Sequence, residues 1–144
     1  METSELVHSV STLCSAPPDH ALAYLADPAR LGEWSLGCWG AEAVDGAVRG
    51  TSLFDGGEAY VRVIPLPGQP IVDYEVGGEP GRLVRRISAR VVPGEDAGGA
   101  AGSSLVVLTA WRERSMDDAR WHRLVVAHDA EILILRHRLE RTAA

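Results

Sequence analysis

The alternation of polar and apolar positions changes rhythm along this chain. Residues 6–13, "LVHSVSTL", are β-branched and alternate with period two, which predicts a first strand. In "SAPPDHALAYLADPARLGEW" the apolar spacing of Ala21, Leu22, Leu25 and Ala26 turns helical. Two prolines precede it, where helix amides have no intrahelical partner. Asp27 followed by Pro28 is a second start signal, so two short helices in tandem are expected, the second ending near Gly32 to Trp34. From Gly46 to Arg114 the period returns to two. "GTSLF", "EAYVRVIPL", "PIVDYEV", "RLVRRISARVV" and "SSLVVLTAWRE" are separated by Gly and Pro, and their close spacing predicts a meandering antiparallel sheet. "PGEDAGGAAG" is the connection expected to be most mobile.

Residues 115–141 read as one long helix. Ser115 with Asp118 approximates a capping box, and Asp117 adds charge that suits a helix N-terminus. Helical spacing puts Trp121, Leu124, Val125, His128, Ile132, Leu135 and Leu139 on one face, with His128 near its centre. An imidazole there requires either a bonded neighbour within a solid core or a cavity to face.

At 144 residues a single domain spanning 1–144 is expected, with 46% hydrophobic and 24% charged residues, an ordinary balance for a soluble globular protein. The net charge of −6 argues against a nucleic-acid partner, and "RLVRR" at 82–86 reads as a wetted strand face rather than a phosphate site. The chain contains no lysine and no asparagine, which excludes Schiff-base chemistry by lysine, a P-loop lysine and an N-glycosylation sequon. Cys14 and Cys38 form no CxxC pair, so a reducing cytoplasm is the expected compartment. "METSEL" is acidic and short, unlike a signal peptide, and no apolar run approaches the ~18 residues of a membrane span. The Arg-, Ala-, Gly- and Val-rich balance suggests a GC-rich bacterial genome.

The order strand, two short helices, several strands and one long C-terminal helix is similar to that of the helix-grip fold. "APPDHALAYLADPARLGEW" resembles the entry segment of the SRPBCC (START/Bet v 1-like) superfamily, and more narrowly its bacterial polyketide cyclase/dehydrase and lipid-transport branch. The matching features are Ala16, Pro17, the helix at 19–26, Asp27, Pro28 and Trp34, followed by "VRGTSL" at 48–53. The resemblance implies an α+β fold in which a curved antiparallel sheet grips the C-terminal helix around a ligand cavity. It transfers no catalytic residue and implies no cofactor.

Side-chain alternation then nominates cavity residues. Ala59, Val61 and Val63, then Val72, Tyr74 and Val76, are the apolar sides of their strands. Leu83, Arg85, Ile87, Ala89 and Val91 form the next set, with Arg85 as its polar exception. For the last strand, Leu105, Val107, Thr109 and Trp111 are taken as inward, although Val106, Leu108 and Ala110 are nearly as apolar. The candidate ligand-binding residues are therefore Trp34, Trp39, Tyr74, Arg85, Thr109, Trp111, His128 and Ile132. His128 is also the candidate catalytic group, because an imidazole titrates near neutral pH.

Each candidate has a structural reading as well. His128 could be a core histidine bonded to one neighbour, Arg85 a salt-bridged rim residue, and Tyr74 a packed side chain with its hydroxyl satisfied. Trp34 and Trp39, which flank "SLGC", could form an aromatic gate or anchor a packed loop. Cys38 has no evident activating partner, and His122, His128 and His137 lack metal-ligand spacing.

The leading expectation is binding of a hydrophobic or aromatic small molecule between the sheet and the C-terminal helix. An enzyme of the polyketide cyclase, aromatase or dehydratase type is the alternative, with His128 moving protons and Arg85 or Tyr74 stabilising an enolate. A protein-interaction module like the Hsp90-activator branch is a third reading. A second copy of the chain is a further partner that the sequence allows.

Overall fold

Seven antiparallel strands form one curved sheet in the order β1-β7-β6-β5-β4-β3-β2, and a long helix lies against it. The computed structural model describes residues 5–144; residues 1–4 of "METSEL" lie outside the described residues. β1 (Val7–Cys14) leads into α1 (Pro18–Ala26) and a 3-10 helix (Pro28–Glu33). Then follow β2 (Trp39–Val44), β3 (Ala47–Thr51), β4 (Glu58–Pro65), β5 (Ile71–Gly77), β6 (Val84–Pro93), β7 (Ser104–Trp111) and α2 (Asp118–Ala143). The chain meanders from β2 to β7, and β1 closes the order by pairing with β7 from Val7↔Trp111 to Cys14↔Ser104. This is the α+β architecture expected from the sequence. No helix among the described residues is long and apolar enough to cross a membrane.

Local chemistry explains most element boundaries. Pro18 opens α1 and the Asp27 side chain caps the 3-10 helix by accepting from Ala29 N–H at 2.9 Å. α2 starts three residues later than expected. Its cap is Asp117, whose carboxylate accepts from Arg120 N–H at 2.8 Å, rather than Ser115. Arg112 at the end of β7 holds this entry, donating to the Met116 carbonyl and to Asp118 at 2.7 Å.

Two strands depart from expectation. β3 ends at Thr51, so that most of "GTSLF" lies in the turn before β4. β2 was not anticipated, although Asp45-Gly46, with φ of 44° and 78°, is the two-residue hairpin signal joining it to β3. "PGEDAGGAAG", expected to be mobile, carries internal bonds: Gly94 N–H donates to the Ser103 carbonyl at 2.8 Å and Gly99 N–H to the Gly94 carbonyl at 2.7 Å.

Facing along β7 is the reverse of the sequence-based choice. Val106, Leu108 and Ala110 are fully buried against the helix side, opposite Ala89 and Ile87 of β6 and Val10 and His8 of β1. Leu105, Val107, Thr109 and Trp111 are half-buried on the outer side, where the Thr109 hydroxyl bonds that of Ser9 at 2.8 Å. Alternation marks the two faces but does not say which is inner when both are apolar. Cross-strand register decides it.

The solid part of the core lies under α1, the 3-10 helix and the C-terminal half of α2. Trp34, Tyr74, Leu25, Leu31, Leu135 and Leu139 are all nearly inaccessible there. Trp34 meets the Tyr74 ring edge-on at a centroid distance of 5.9 Å, and the Tyr74 hydroxyl donates to the Leu25 carbonyl at 2.7 Å. Burying Leu135 and Leu139 contributes about 1.5–3 kcal/mol each. Tyr74→Phe leaves the Leu25 carbonyl without this donor in an apolar setting. Urea unfolding should show a loss of about 1–3 kcal/mol; a loss below a few tenths would mean that water replaces the hydroxyl at no cost.

Candidate functional site

α2 divides its work along its length. Ile132, Leu135 and Leu139 join the solid core, whereas Leu124, Ala127, His128 and Glu131 roof a cavity of about 470 Å³. Its floor is aliphatic, from Val61 of β4, Val76 of β5 and Ile87 of β6. Residues 35–38, Phe54 and the exposed arginines Arg82, Arg120 and Arg123 border it. Gly50 lets this wall form, because a Cβ there would lie 2.8 Å from the Cys38 carbonyl carbon and 2.9 Å from its Sγ.

A bulge in β6 delivers the cavity's buried cation. Tyr74 pairs with Ile87 but Glu75 pairs with Arg85, so Arg86 is the extra residue on its strand. Arg86 is buried and lines the cavity, with Nη1 3.3 Å from Glu113 Oε2. Burial lowers its pKa, and the nearby Glu113 opposes that only in part. Arg85 is turned outward and exposed, 3.4 Å from Asp73 and 3.8 Å from Glu75.

His128 and Glu131 stand one helical turn apart and are both buried. Glu131 Oε2 accepts from Leu36 N–H at 2.7 Å, and the Gly37 amide adds to the same carboxylate, tying α2 to the 35–38 segment at the cavity's edge. Burial pushes its carboxyl up to about 7 despite those two amides. Burial, and next His8, hold the His128 imidazole down to about 4. The two rings are 6.0 Å apart, and His8 is itself 3.2 Å from Asp129. His128 Nε2 lies 3.9 Å from Glu131 Oε1, yet burial disfavours charge on both groups. The contact therefore brings a neutral base beside a carboxyl that is substantially protonated at neutral pH. Cys38 is a buried thiol 3.6 Å from the Ala59 carbonyl, and burial raises its pKa to about 11, which suits packing and not nucleophilic attack.

Solved structures share this fold. The Zhui aromatase/cyclase from Streptomyces sp. R1128 matches with a TM-score of 0.70 at 17% identity, over 96% of this chain and 95% of that one. A START superfamily protein from Mycobacterium smegmatis gives 0.66 at 12% identity, over 96% and 99%. The Aha1 dimer from Colwellia psychrerythraea gives 0.66 at 17% identity, over 94% and 97%. No protein-family model matches the sequence, and no curated protein matches it. The fold is the helix-grip fold, which this chain shares with those structures.

Within this helix-grip frame the nominated residues separate. His128 lines the cavity. Tyr74 faces inward but spends its hydroxyl on Leu25, and Trp34 is packed on it in the solid core. Ile132 belongs to that same core. Trp39 is half-buried at the start of β2, paired with Thr51. Arg85, Thr109 and Trp111 lie on the other face of the sheet. Arg86, Glu113 and Glu131 were missed. Only Glu131 had a visible signal, three residues from His128 within an otherwise apolar "EILIL" run. The expectation that "RLVRR" is a uniformly wetted face fails at Arg86.

The opposite displacements of the two buried groups predict opposite pH dependences. A carboxyl raised from 4.5 to about 7 stabilises the fold fully below pH 4.5 and loses that contribution as pH rises to about 7. An imidazole lowered from 6.5 to about 4 contributes stability that is present above pH 6.5 and lost as pH falls towards 4. Each slope is about 1.4 kcal/mol per pH unit, so the pair largely cancels between pH 4.5 and 6.5. Urea unfolding across that range should show stability rising with pH in Glu131→Gln and falling with pH in His128→Phe. Parallel profiles in the two variants would refute this assignment.

Proposed function

We propose that this chain binds a hydrophobic or aromatic small molecule in the cavity between the sheet and the N-terminal half of α2. The observation that carries this reading is the cavity of about 470 Å³, whose floor is aliphatic and whose roof and rim carry polar and charged side chains. That volume falls within the range of about 300–1,000 Å³ for small-molecule sites, which combine an apolar surface with polar groups that orient the ligand. The fold shared with an aromatase/cyclase and a START superfamily protein supports it.

The neutral fluorescent probe N-phenyl-1-naphthylamine provides the test. Wild-type protein should enhance and blue-shift its emission, with saturable binding. Ala127→Phe, which projects into the cavity, should weaken binding at least about tenfold while leaving the circular dichroism spectrum intact. Leu133→Phe, on the exposed side of α2, should leave binding unchanged. Absence of saturable binding to wild type, together with native mass spectra free of any co-purified small molecule, would remove the reading.

A second reading has a specific observation in its favour. A neutral imidazole and a carboxyl whose pKa is raised to about 7, side by side in a cavity, are the two halves of a proton-transfer site. On this reading His128 removes a proton from a bound acidic carbon and Glu131 supplies one to the developing enolate oxygen. A bound 1,3-diketone should then exchange its central hydrogen with D2O faster than in buffer, and His128→Gln should abolish the acceleration. Equal exchange in both proteins would leave only the binding reading.

A further inference from the structure

Two buried polar atoms on the cavity wall have no protein hydrogen-bond partner among the described residues: Arg86 Nε and His128 Nδ1. The Arg86 side chain is 9% exposed and that of His128 3%, and both residues line the same cavity. They are close enough for the guanidinium to disfavour charge on the imidazole. Buried groups of this kind ordinarily find a partner, so two among the residues of one cavity point to a polar group supplied by a ligand.

The cavity's own carboxylates already have partners. Glu113 meets Arg86 at Nη1, Glu131 accepts from Leu36, Asp55 accepts from Gly57 N–H at 2.8 Å, and Glu58 accepts from the Tyr60 hydroxyl at 3.1 Å. Arg86 is thus a desolvated cation with one ionic partner, itself a third exposed, and a buried Nε–H that has no acceptor among the described residues. An anionic oxygen at that N–H would form the charge-assisted bond the site lacks. Arg120 and Arg123 on α2 add positive charge along the approach.

We propose that the occupant of the cavity is an organic acid, an apolar body whose anionic oxygen is held at the Arg86 guanidinium, with the His128 imidazole as a second polar contact from α2. This rests on the small-molecule reading above and adds the charge of the ligand to it. The bulge in β6 then has a functional consequence: it turns an arginine into the cavity on a strand whose regular alternation would keep it outside. His128 remains neutral there, so it donates to the acid without drawing on a second buried charge.

Competition against N-phenyl-1-naphthylamine tests this with two matched ligands, 2-naphthoate and 2-naphthylmethanol. Wild type should bind the acid at least about tenfold more tightly than the alcohol at pH 7.5. Arg86→Gln should bring the two within about threefold by weakening the acid alone. Arg120→Gln combined with Arg123→Gln should preserve the preference, because the acid is held in the interior. Equal affinities in wild type would overturn the inference while probe binding keeps the small-molecule reading intact. No probe binding at all would remove both. If Arg86→Gln does not fold, the double variant decides, since loss of the preference there would place acid recognition at the entrance and overturn the role of Arg86.

Discussion

The hydrogen bond from the Tyr74 hydroxyl to the Leu25 carbonyl sets what the remainder of the molecule can be. It joins the middle of the sheet to the last turn of α1, inside a cluster with no access to water. Trp34, at the end of the 3-10 helix, packs against the same ring. The two short helices are thereby held over one end of the sheet, where their large side chains fill the concave side. They do not reach the other end. α2 spans both, so half of it closes a core and half of it covers a space.

That division accounts for the electrostatics of the site. The residues of α2 over the filled end are aliphatic, as close packing requires. Over the open end, His128 and Glu131 are buried without dense apolar contact on every side, and each resolves the cost of burial by favouring its neutral form. Glu131 also binds the 35–38 segment through its amides, so the same carboxyl shapes one edge of the cavity. Arg86 cannot shed its charge in this way. It keeps one contact with Glu113, and its Nε has no hydrogen-bond partner among the described residues. The proposed small-molecule binding, proton transfer and acid recognition all rest on one geometric fact, a half-filled helix-grip interior.

The order of elements was legible because each carries its own local signal. Asp27-Pro28 announces the 3-10 helix, breakers bound β4 to β7, and the apolar stripe of α2 is continuous. β2 was overlooked even though Asp45-Gly46 is a hairpin turn, since "WGAEAV" alternates too weakly to stand out. The site was much less legible. Alternation placed Arg85 inside because it assumes an unbroken ladder, and a single bulge exchanged it for Arg86. Along β7 both faces are apolar, so hydropathy has no contrast to report, and the pairing of Leu108 with Val10 and Ala89 settles the facing.

Backbone propensity and hydrophobic period act over a few residues, so the strands, the helices and their order follow from the chain read in one dimension. His128 also stood out at that level, as an imidazole in an apolar stripe. Whether that stripe meets a core or a cavity depends on how far α1 and the 3-10 helix extend over the sheet. Which arginine enters depends on cross-strand register. Both are set by contacts between residues tens of positions apart, such as Leu25 with Tyr74 and Leu36 with Glu131. No local pattern encodes such contacts, so only the folded chain shows that His128 shares its cavity with Arg86 and Glu131.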